Sequence, residues 1–239
     1  MSEVLIIIPT YNEIENITAI SEAVLGLPDN YDLLIIDDGS PDGTATKVQE
    51  LQKNYADRLH LIERSGKLGL GTAYIRGFKF GLEHGYKYIM EMDADFSHNP
   101  KDVPRLLEAA RIPGTGMVVG SRYVKGGGFR NWSKYRLMLS YGASIYTRLV
   151  TGMPVKDPTA GFVVYTSAVL SKMNLDKISF VGYAFQIEMK YYCYSLGCTI
   201  KEIPITFVDR ELGTSKMNMG IVQEGIFGVL QIRMKDYSS

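Results

Sequence analysis

Residues 88–110 read YIMEMDADFSHNPKDVPRLLEAA, and this stretch decides the fold class. Tyr88–Met92 reads as a strand that ends on Asp93-Ala94-Asp95. Asn99-Pro100 then opens a helix, since proline suits the first helical position. Val103, Leu106, Leu107 and Ala110 follow at i, i+3, i+4 and i+7, the spacing of one helix face. The same strand-then-helix unit recurs on the N-terminal side. Val4–Ile8 is a continuous apolar run, as in a strand covered on both faces. Asn12 with Glu15 reads as a capping box for a helix carrying Ile14, Ile17 and Val24. Leu33–Ile36 is a second buried strand, ending in Asp37-Asp38-Gly39-Ser40, with a helix from Asp42 through Val48, Leu51 and Tyr55. Leu59–Ile62 is a third strand, and the turn with Gly66, Gly69 and Gly71 leads into a helix reaching about His84. On the C-terminal side, Met117–Gly120 is a fifth strand. Strands alternating with helices imply βαβ units and a mainly parallel sheet flanked by helices.

The pattern changes after residue 120. A glycine-rich basic loop, Lys125 to Arg130, precedes a helix expected over 133–150. Shorter elements follow, then a strand pair over 199–208 broken by Pro204, then an apolar helix from Met219 to Met234 with Ile221, Val222, Ile226, Val229 and Leu230 on one side. No linker and no internal repeat interrupts the chain. The expected organisation is one domain over residues 1–216 with a short amphipathic extension over 217–239.

The 239 residues are 46% hydrophobic and 22% charged, with 26 Lys plus Arg against 26 Asp plus Glu. Such a chain is neither disordered nor fibrous. No run of about 18 apolar residues reads as a membrane-spanning helix. Glu3 stands where a signal peptide carries positive charge, and the apolar run after it is short. Cys193 and Cys198, five apart, form neither a CxxC pair nor a disulfide framework, so a reduced intracellular protein is expected. The even charge balance hides an asymmetry. From Ala109 to Lys156 there is no acid, while Arg111, Arg122, Lys125, Arg130, Lys134, Arg136, Arg148 and Lys156 all fall there. Such a block is either a solvated basic face or a site for phosphate or lipid headgroups.

Ligands of open α/β sheets bind beyond the carboxyl ends of the strands. Asp37-Asp38, the Gly66–Gly71 turn and Asp93-x-Asp95 all fall there, which points to a nucleotide and a metal. Asp93 and Asp95 are two apart, so on extended backbone both face one side. Mg²⁺ or Mn²⁺ with a diphosphate would join them; an acid pair capping the next helix is the plain alternative. A haloacid-dehalogenase-type phosphatase also uses DxD after a strand, but that reading leaves Asp37-Asp38 and the basic block unexplained. GxGxxG would need glycine at Tyr74, which argues against a nicotinamide enzyme. Lys67 beside the glycine turn either neutralises a diphosphate or faces solvent. On the helix from Ser133, Leu137, Tyr141, Ile145 and Leu149 form an apolar stripe, and Arg136, Ser140, Ser144 and Arg148 run beside it. Arginines and hydroxyls without an acid suit a phosphate oxyanion, or make an ordinary polar face. No nucleic-acid module is present. His60, His84 and His98 are too scattered for a zinc set, and Trp132 and Cys193 read as packing residues.

Together these clusters resemble family 2 glycosyltransferases of GT-A (Rossmann-like) fold, and within them the dolichol-phosphate (polyprenol-phosphate) mannose synthases. The matching segments are Pro9-Thr-Tyr-Asn-Glu13, Asp37-Asp-Gly-Ser-Pro-Asp-Gly-Thr44, Gly66-Lys-x-Gly-Leu-Gly-Thr-Ala73, Asp93-Ala-Asp-Phe-Ser-His-Asn-Pro100 and Gly120-Ser-Arg-Tyr123. Gly182-Tyr-Ala-Phe-Gln-Ile-Glu188, Ile203-Pro-Ile-Thr-Phe-Val-Asp-Arg210 and Gly213-Thr-Ser-Lys216 follow in order. PTYNE alone resembles the GT-A fold in general; SPDGT, DADxSHxP and GYAFQIE resemble this branch.

The resemblance implies an inverting, metal-dependent mannosyl transfer from GDP-mannose to a polyprenyl or dolichyl phosphate. A related transferase using UDP-glucose or UDP-GlcNAc on a lipid phosphate is the alternative, and a non-catalytic nucleotide-sugar-binding protein a third reading. It implies that Pro9, Tyr11, Glu13 and Asp38 hold the guanosine part, with Lys67 on the diphosphate. Asp93 and Asp95 would bind the metal, with Ser97 where some relatives place a third, longer ligand. Arg122, Arg136, Ser140 and Arg210 would bind the lipid phosphate, and Lys216 would lie on a covering loop hinged at Gly213. Asp95, Arg122, Arg136 and Arg210 would thus serve catalysis. The expected location is the cytoplasmic face of a membrane, held peripherally by the basic helix and the apolar tail. The tail would otherwise pack on a small membrane protein subunit or a second copy. No nucleic-acid partner is expected.

Overall fold

The computed structural model describes residues 2–182, 184–209 and 219–237. The first strand, β1 (Val4–Thr10), sets the layout because it is buried on both faces. Leu5 and Ile7 enter one apolar layer, and Val4, Ile6 and Ile8 enter the other, as a period of two requires. α1 (Ile17–Leu25), β2 (Asp32–Asp37), α2 (Thr44–Tyr55), β3 (Leu59–Glu63), α3 (Leu70–Glu83), β4 (Tyr88–Glu91), α4 (Val103–Ala110) and β5 (Thr115–Ser121) complete the alternating half. β6 (Gly128–Arg130), α5 (Lys134–Thr151), β7 (Val163–Thr166), α6 (Ser167–Leu170), α7 (Ala184–Ser195), β8 (Thr199–Pro204), β9 (Thr206–Val208) and α8 (Met219–Met234) follow.

Seven strands form the main sheet in the order β3-β2-β1-β4-β7-β5-β8. Its pairs are parallel except where β7 lies antiparallel between β4 and β5. One apolar layer joins α3, α7 and α8 through Tyr74, Phe78, Phe185, Val229 and Ile232. The other joins α1, α2 and α4 through Ile20, Val48, Leu106 and Leu107. The chain runs β1 to β3 toward one side and places β4 on the other, so the strand order reverses between β1 and β4. That reversal opens a crevice at the strand ends, where Thr10 and Asp37 lie in register and β4 ends earlier, with Glu91 opposite Ile7.

Three expectations are corrected, and the setting of the α5 stripe, which the sequence left open, is settled as well. Asn12 caps no helix: it adopts φ 58°, and α1 begins at Ile17. The N–H groups of Asn12, Glu13 and Ile14 donate instead to Ser40 Oγ, Thr44 Oγ1 and Asp42 Oδ2. The Glu13 carbonyl accepts the Asn16 and Ile17 N–H groups, so side chains of the β2–α2 loop, and not Asn12, cap the turn that leads into α1. The strands expected over 199–208 exist but do not pair with each other: β8 joins β5, and β9 joins β6 in a second small sheet. Proline supplies no donor at 204, and the buried Ile205 donates its N–H to Ser121 O, so the chain turns between sheets there. The apolar stripe of α5 does not enter the core. Leu137, Tyr141, Ile145 and Leu149 are exposed, while Ser144, Thr147 and Thr151 face inward. On α8 the expected side splits: Val229 is buried and Leu230 exposed. The antiparallel β7 has no counterpart in the sequence reading.

Phe78 is fully buried, with Tyr74 and Tyr165 ring centroids at 6.2 and 5.1 Å. Phe78→Ala should lower the unfolding free energy by about 3–5 kcal/mol, read from urea denaturation; a cost under about 1 kcal/mol would mean this layer is not closely packed.

Candidate functional site

The crevice begins with two adjacent aspartates that take different parts. Asp37 is consumed by its own turn, accepting from Thr10 Oγ1 at 3.0 Å, Ser40 N at 2.8 Å and Ser40 Oγ at 2.6 Å. Asp38 pairs with Arg64, whose Nε lies 2.6 Å from Oδ1. The same guanidinium donates to Thr72 Oγ1 at 2.7 Å and Gly69 O at 3.2 Å, so Arg64 ties the β2 end to the glycine turn. Gly69 holds φ +101° and a Cβ there would meet Val181 Cβ at 2.9 Å, which explains glycine at this position. Lys67 Nζ sits 5.0 Å above the Tyr11 ring, a cation–π distance. Pro9 lies near the end of β1, before Tyr11, and Glu13 follows Tyr11 on the β1–α1 connection.

At the β4 end, Asp95 Oδ1 accepts the Ser97 N–H at 3.0 Å. Between them Phe96 takes φ 58°, a strained conformation of the kind found at ligand sites. Ser97 is buried. His98 is buried, stacked 4.8 Å from Phe162, and accepts the Asp93 N–H on Nδ1 at 3.2 Å. Burial lowers its pKa to about 4, so it is neutral at pH 7, with the proton on Nε2. The 3.7 Å approach to Asp93 Oδ2 is then no ion pair. Asp93 and Asp95 offer only oxygen, which fits a hard divalent cation that takes one or two carboxylates and completes its shell with phosphate and water. Among the described residues no three His, Cys, Asp or Glu side chains gather as a metal cage.

The basic elements lie directly beside this turn. Val208 N donates to Ser97 O at 3.2 Å, and Asp209, the next residue, accepts Arg136 Nη1 at 2.7 Å. Phe207 packs edge-on against His98 and Trp132, and the Arg136 guanidinium lies 4.1 Å from the Trp132 ring centroid. Arg136 Nε and Trp132 Nε1 are buried with no acceptor among the described residues. Ser140 accepts the Tyr123 hydroxyl at 2.7 Å. Arg122 is deeper: its Nε and Nη2 donate to Asp157 at 2.7 and 2.6 Å, and Nη2 also to Thr159 at 2.9 Å. Burial works against that charge, but the Asp157 carboxylate overcompensates and raises the pKa. Below the crevice Gln186 donates to Glu91 at 2.7 Å and accepts from Lys190 at 3.0 Å. Burial pushes Glu91 up to about 7 and Lys190 down to about 8, each opposed by the other's charge.

The structure therefore brings Tyr11, Lys67 and the Asp38–Arg64 pair to one end of the crevice, and Asp93, Asp95, Ser97, Arg136 and Ser140 to the region joined by β9. Arg122 is buried in an ion pair. Arg210 and Lys216, with Gly213, lie outside the described residues. Sequence reading missed the roles of Arg64, Asp157 and Asp209. Arg64 stands at a strand end, the position that singled out the other clusters; Asp157 and Asp209 are lone acids whose partners lie far along the chain.

Residues 5–179 match the family model described as Glycosyl transferase family 2. Polyprenol monophosphomannose synthase of Mycolicibacterium smegmatis is 44% identical over 227 residues, spanning 95% of this chain and 85% of that protein. Undecaprenyl-phosphate mannosyltransferase of Micrococcus luteus is 45% identical over 226 residues, spanning 95% and 92%. Among solved structures, glucosyl-3-phosphoglycerate synthase from Mycobacterium tuberculosis, in complex with Mn²⁺, UDP and glucosyl-3-phosphoglycerate, superposes with TM-score 0.69 at 17% identity, covering 98% of this chain and 81% of that one. A mannosyltransferase from Pyrobaculum calidifontis in complex with GDP-Man and Mn²⁺ superposes with TM-score 0.58 at 14% identity, covering 97% and 73%. At these identities the superpositions speak for the fold alone.

His98 supplies a pH test. Its folded pKa of about 4 lies below the ordinary 6.5, so the stability it contributes is present above about pH 6.5 and is lost as pH falls through about 4. In metal-free protein this amounts to about 3 kcal/mol at roughly 1.4 kcal/mol per unit. Urea unfolding between pH 7 and 4 should show a shallower loss in His98→Gln than in wild type; identical slopes would contradict a buried neutral imidazole.

Proposed function

Because this chain belongs to glycosyl transferase family 2, with the GT-A arrangement of its sheet, we propose that it transfers mannose from GDP-mannose to the phosphate of a polyprenyl or dolichyl phosphate. The products are a β-mannosyl phosphoryl lipid and GDP. The names of the two mannosyl relatives support mannose and a polyprenyl phosphate. The observation that carries the reading is the crossing at β9. One strand end hydrogen-bonds the aspartate turn through Val208 and, one residue later, holds Arg136 through Asp209. A donor diphosphate on the aspartates and an acceptor phosphate on the arginine stripe would then be neighbours.

Pro9, Tyr11, Glu13 and Asp38 would hold the guanosine, and Lys67 would approach the diphosphate from above the Tyr11 ring. Asp93 and Asp95 would hold Mg²⁺ or Mn²⁺, with Ser97 reaching it through a water. The ion, when bound, neutralises charge developing on the leaving GDP. The acceptor is a phosphate monoester with second pKa near ~6, hence mostly a dianion at pH 7. It needs orientation and partial neutralisation, and no strong base. Arg136 would supply both: its Nε, like Trp132 Nε1, is a buried donor with no acceptor among the described residues. Ser140 and Arg210 would complete the acceptor set. Arg122, enclosed by Asp157 and the Tyr123, Phe129, Trp132 and Phe207 rings, would add positive potential from below. Attack of the phosphate oxygen in line with the departing diphosphate inverts the anomeric carbon.

The acceptor brings a lipid with it. No described helix is long and apolar enough to cross a membrane. α5 and α8 pack together and leave Tyr135, Met138, Leu149, Phe227 and Met234 well exposed. Lys125, Arg130, Lys134 and Arg148 are exposed on and before α5. An apolar face bordered by cations suits an anionic lipid surface, with the chain held peripherally.

The test is label transfer from GDP-mannose to a polyprenyl phosphate in detergent, scored in the organic phase. Metal-dependent transfer from GDP-mannose and none from UDP-glucose or UDP-GlcNAc is expected; transfer from a UDP-sugar alone would overturn the donor assignment. Asp95→Ala should abolish the metal-dependent reaction, and full activity in that variant would remove the metal role. Arg136→Ala should lose turnover on the order of a hundredfold with GDP affinity intact, measured by calorimetry. Lost GDP affinity in a folded Arg136→Ala protein would contradict its placement on the acceptor.

A further inference from the structure

Glu188 on α7 is fully buried, and its carboxylate is shared between two other segments. Oε2 accepts the backbone N–H groups of Ser179 and Phe180 at 2.9 and 3.0 Å. Oε1 accepts Lys235 Nζ at 2.6 Å and the Tyr237 hydroxyl at 3.1 Å. Lys235 also donates to the Lys177 carbonyl. A buried carboxylate is tolerated only while its lone pairs are matched. The loop over 178–182 and the segment after α8 therefore seat on α7 together.

The loop so held reaches the nucleotide end of the crevice. Val181 O accepts the Gly71 N–H at 2.9 Å. A Cβ on Gly71 would lie 2.6 Å from Phe180 O, so loop and turn are in direct backbone contact. This is the turn whose Gly69 carbonyl and Thr72 hydroxyl are gripped by Arg64 while Arg64 holds Asp38. On its other side the loop meets α8: a Cβ on Gly228 would lie 3.1 Å from Phe180 Cε1. α8 is also the helix that exposes Phe227, Leu230 and Met234. A continuous set of contacts thus runs from an exposed apolar helix, through Phe180 and Glu188, to the turn beside Tyr11, Lys67 and Asp38.

We propose that Glu188 is a positioning residue for the donor. It clasps the segment following α8 to the loop that braces the glycine turn, so that correct seating of α8 sets the affinity for the nucleoside diphosphate. This rests on the proposed donor site. It adds that a helix facing the lipid side governs donor binding without touching the donor. Coupling of this kind between separate sites is typically worth 5- to 150-fold in affinity.

The test keeps Glu188 and removes its C-terminal partners from the full chain, in a Lys235→Met/Tyr237→Phe variant. Calorimetry with GDP and Mg²⁺ should give a dissociation constant raised about tenfold. The donor KM should rise in parallel, and kcat at saturating donor should stay within about twofold. Tyr237→Phe alone, which removes one hydroxyl, should give about two- to threefold and covers the case in which the double variant fails to fold. An unchanged GDP dissociation constant in a folded double variant overturns the clasp, as does a fall in kcat with KM unchanged. If the wild type binds UDP and not GDP, the guanosine assignment fails while the clasp is scored on UDP by the same shifts. A wild type that binds neither overturns both.

Discussion

A guanidinium shut away from water must be met by a carboxylate, and the way Arg122 finds Asp157 organises the middle of this protein. Arg122 follows directly on β5, and Asp157 lies in the connection leading to β7. Two side-chain hydrogen bonds and one from the Arg122 backbone fasten the pair. Asp157 is set in turn by Glu202 of β8, which accepts its N–H at 3.0 Å. Four aromatic rings, from Tyr123, Phe129, Trp132 and Phe207, stand 5.5–5.8 Å from the guanidinium. The small β6–β9 sheet is therefore built around a charge. Removing one partner of such a pair costs far more than the pair contributes, because the other charge is left buried. The position of β9, and with it the join between aspartate turn and arginine stripe, depends on this arrangement.

The other organising constraint is the direction of the strands. With β1, β2 and β4 parallel, every strand end on that edge presents its next residues to one crevice. That is why acids scattered at 38, 93 and 95 all fall just past the ends of neighbouring parallel strands, a placement that the apolar runs and the residues after them make legible in the sequence. The long helix α5 was legible for the same kind of reason, since Ser133 caps it and accepts the Arg136 N–H at 3.2 Å.

What sequence reading missed has physical causes. The Asn12–Glu15 pattern matches a capping box, but the backbone donors of residues 12–14 find acceptors some thirty residues away in the β2–α2 loop, a tertiary match that no local pattern reports. The β7 strand is only four residues long and antiparallel, so its place between β4 and β5 is decided by its neighbours. The stripe on α5 has helical spacing, and spacing says which residues share a face without saying what that face meets; here, among the described residues, the face is largely exposed, with Tyr141 against the Tyr123 ring. Arg122, one cation of an acid-free block, was given an acceptor role by the family resemblance. Its carboxylate partner lies 35 residues onward, just past the end of that block.

The central claim is that donor and acceptor phosphates meet where β9 joins the aspartate turn to Arg136. The most direct test is ³¹P NMR of a short-chain polyprenyl phosphate bound to the protein with GDP, with Mg²⁺ or paramagnetic Mn²⁺ on the aspartates. The account predicts strong broadening of the lipid phosphate resonance with Mn²⁺, absent with Mg²⁺ and lost in Arg136→Ala. A bound lipid phosphate that stays sharp beside Mn²⁺–GDP would contradict it.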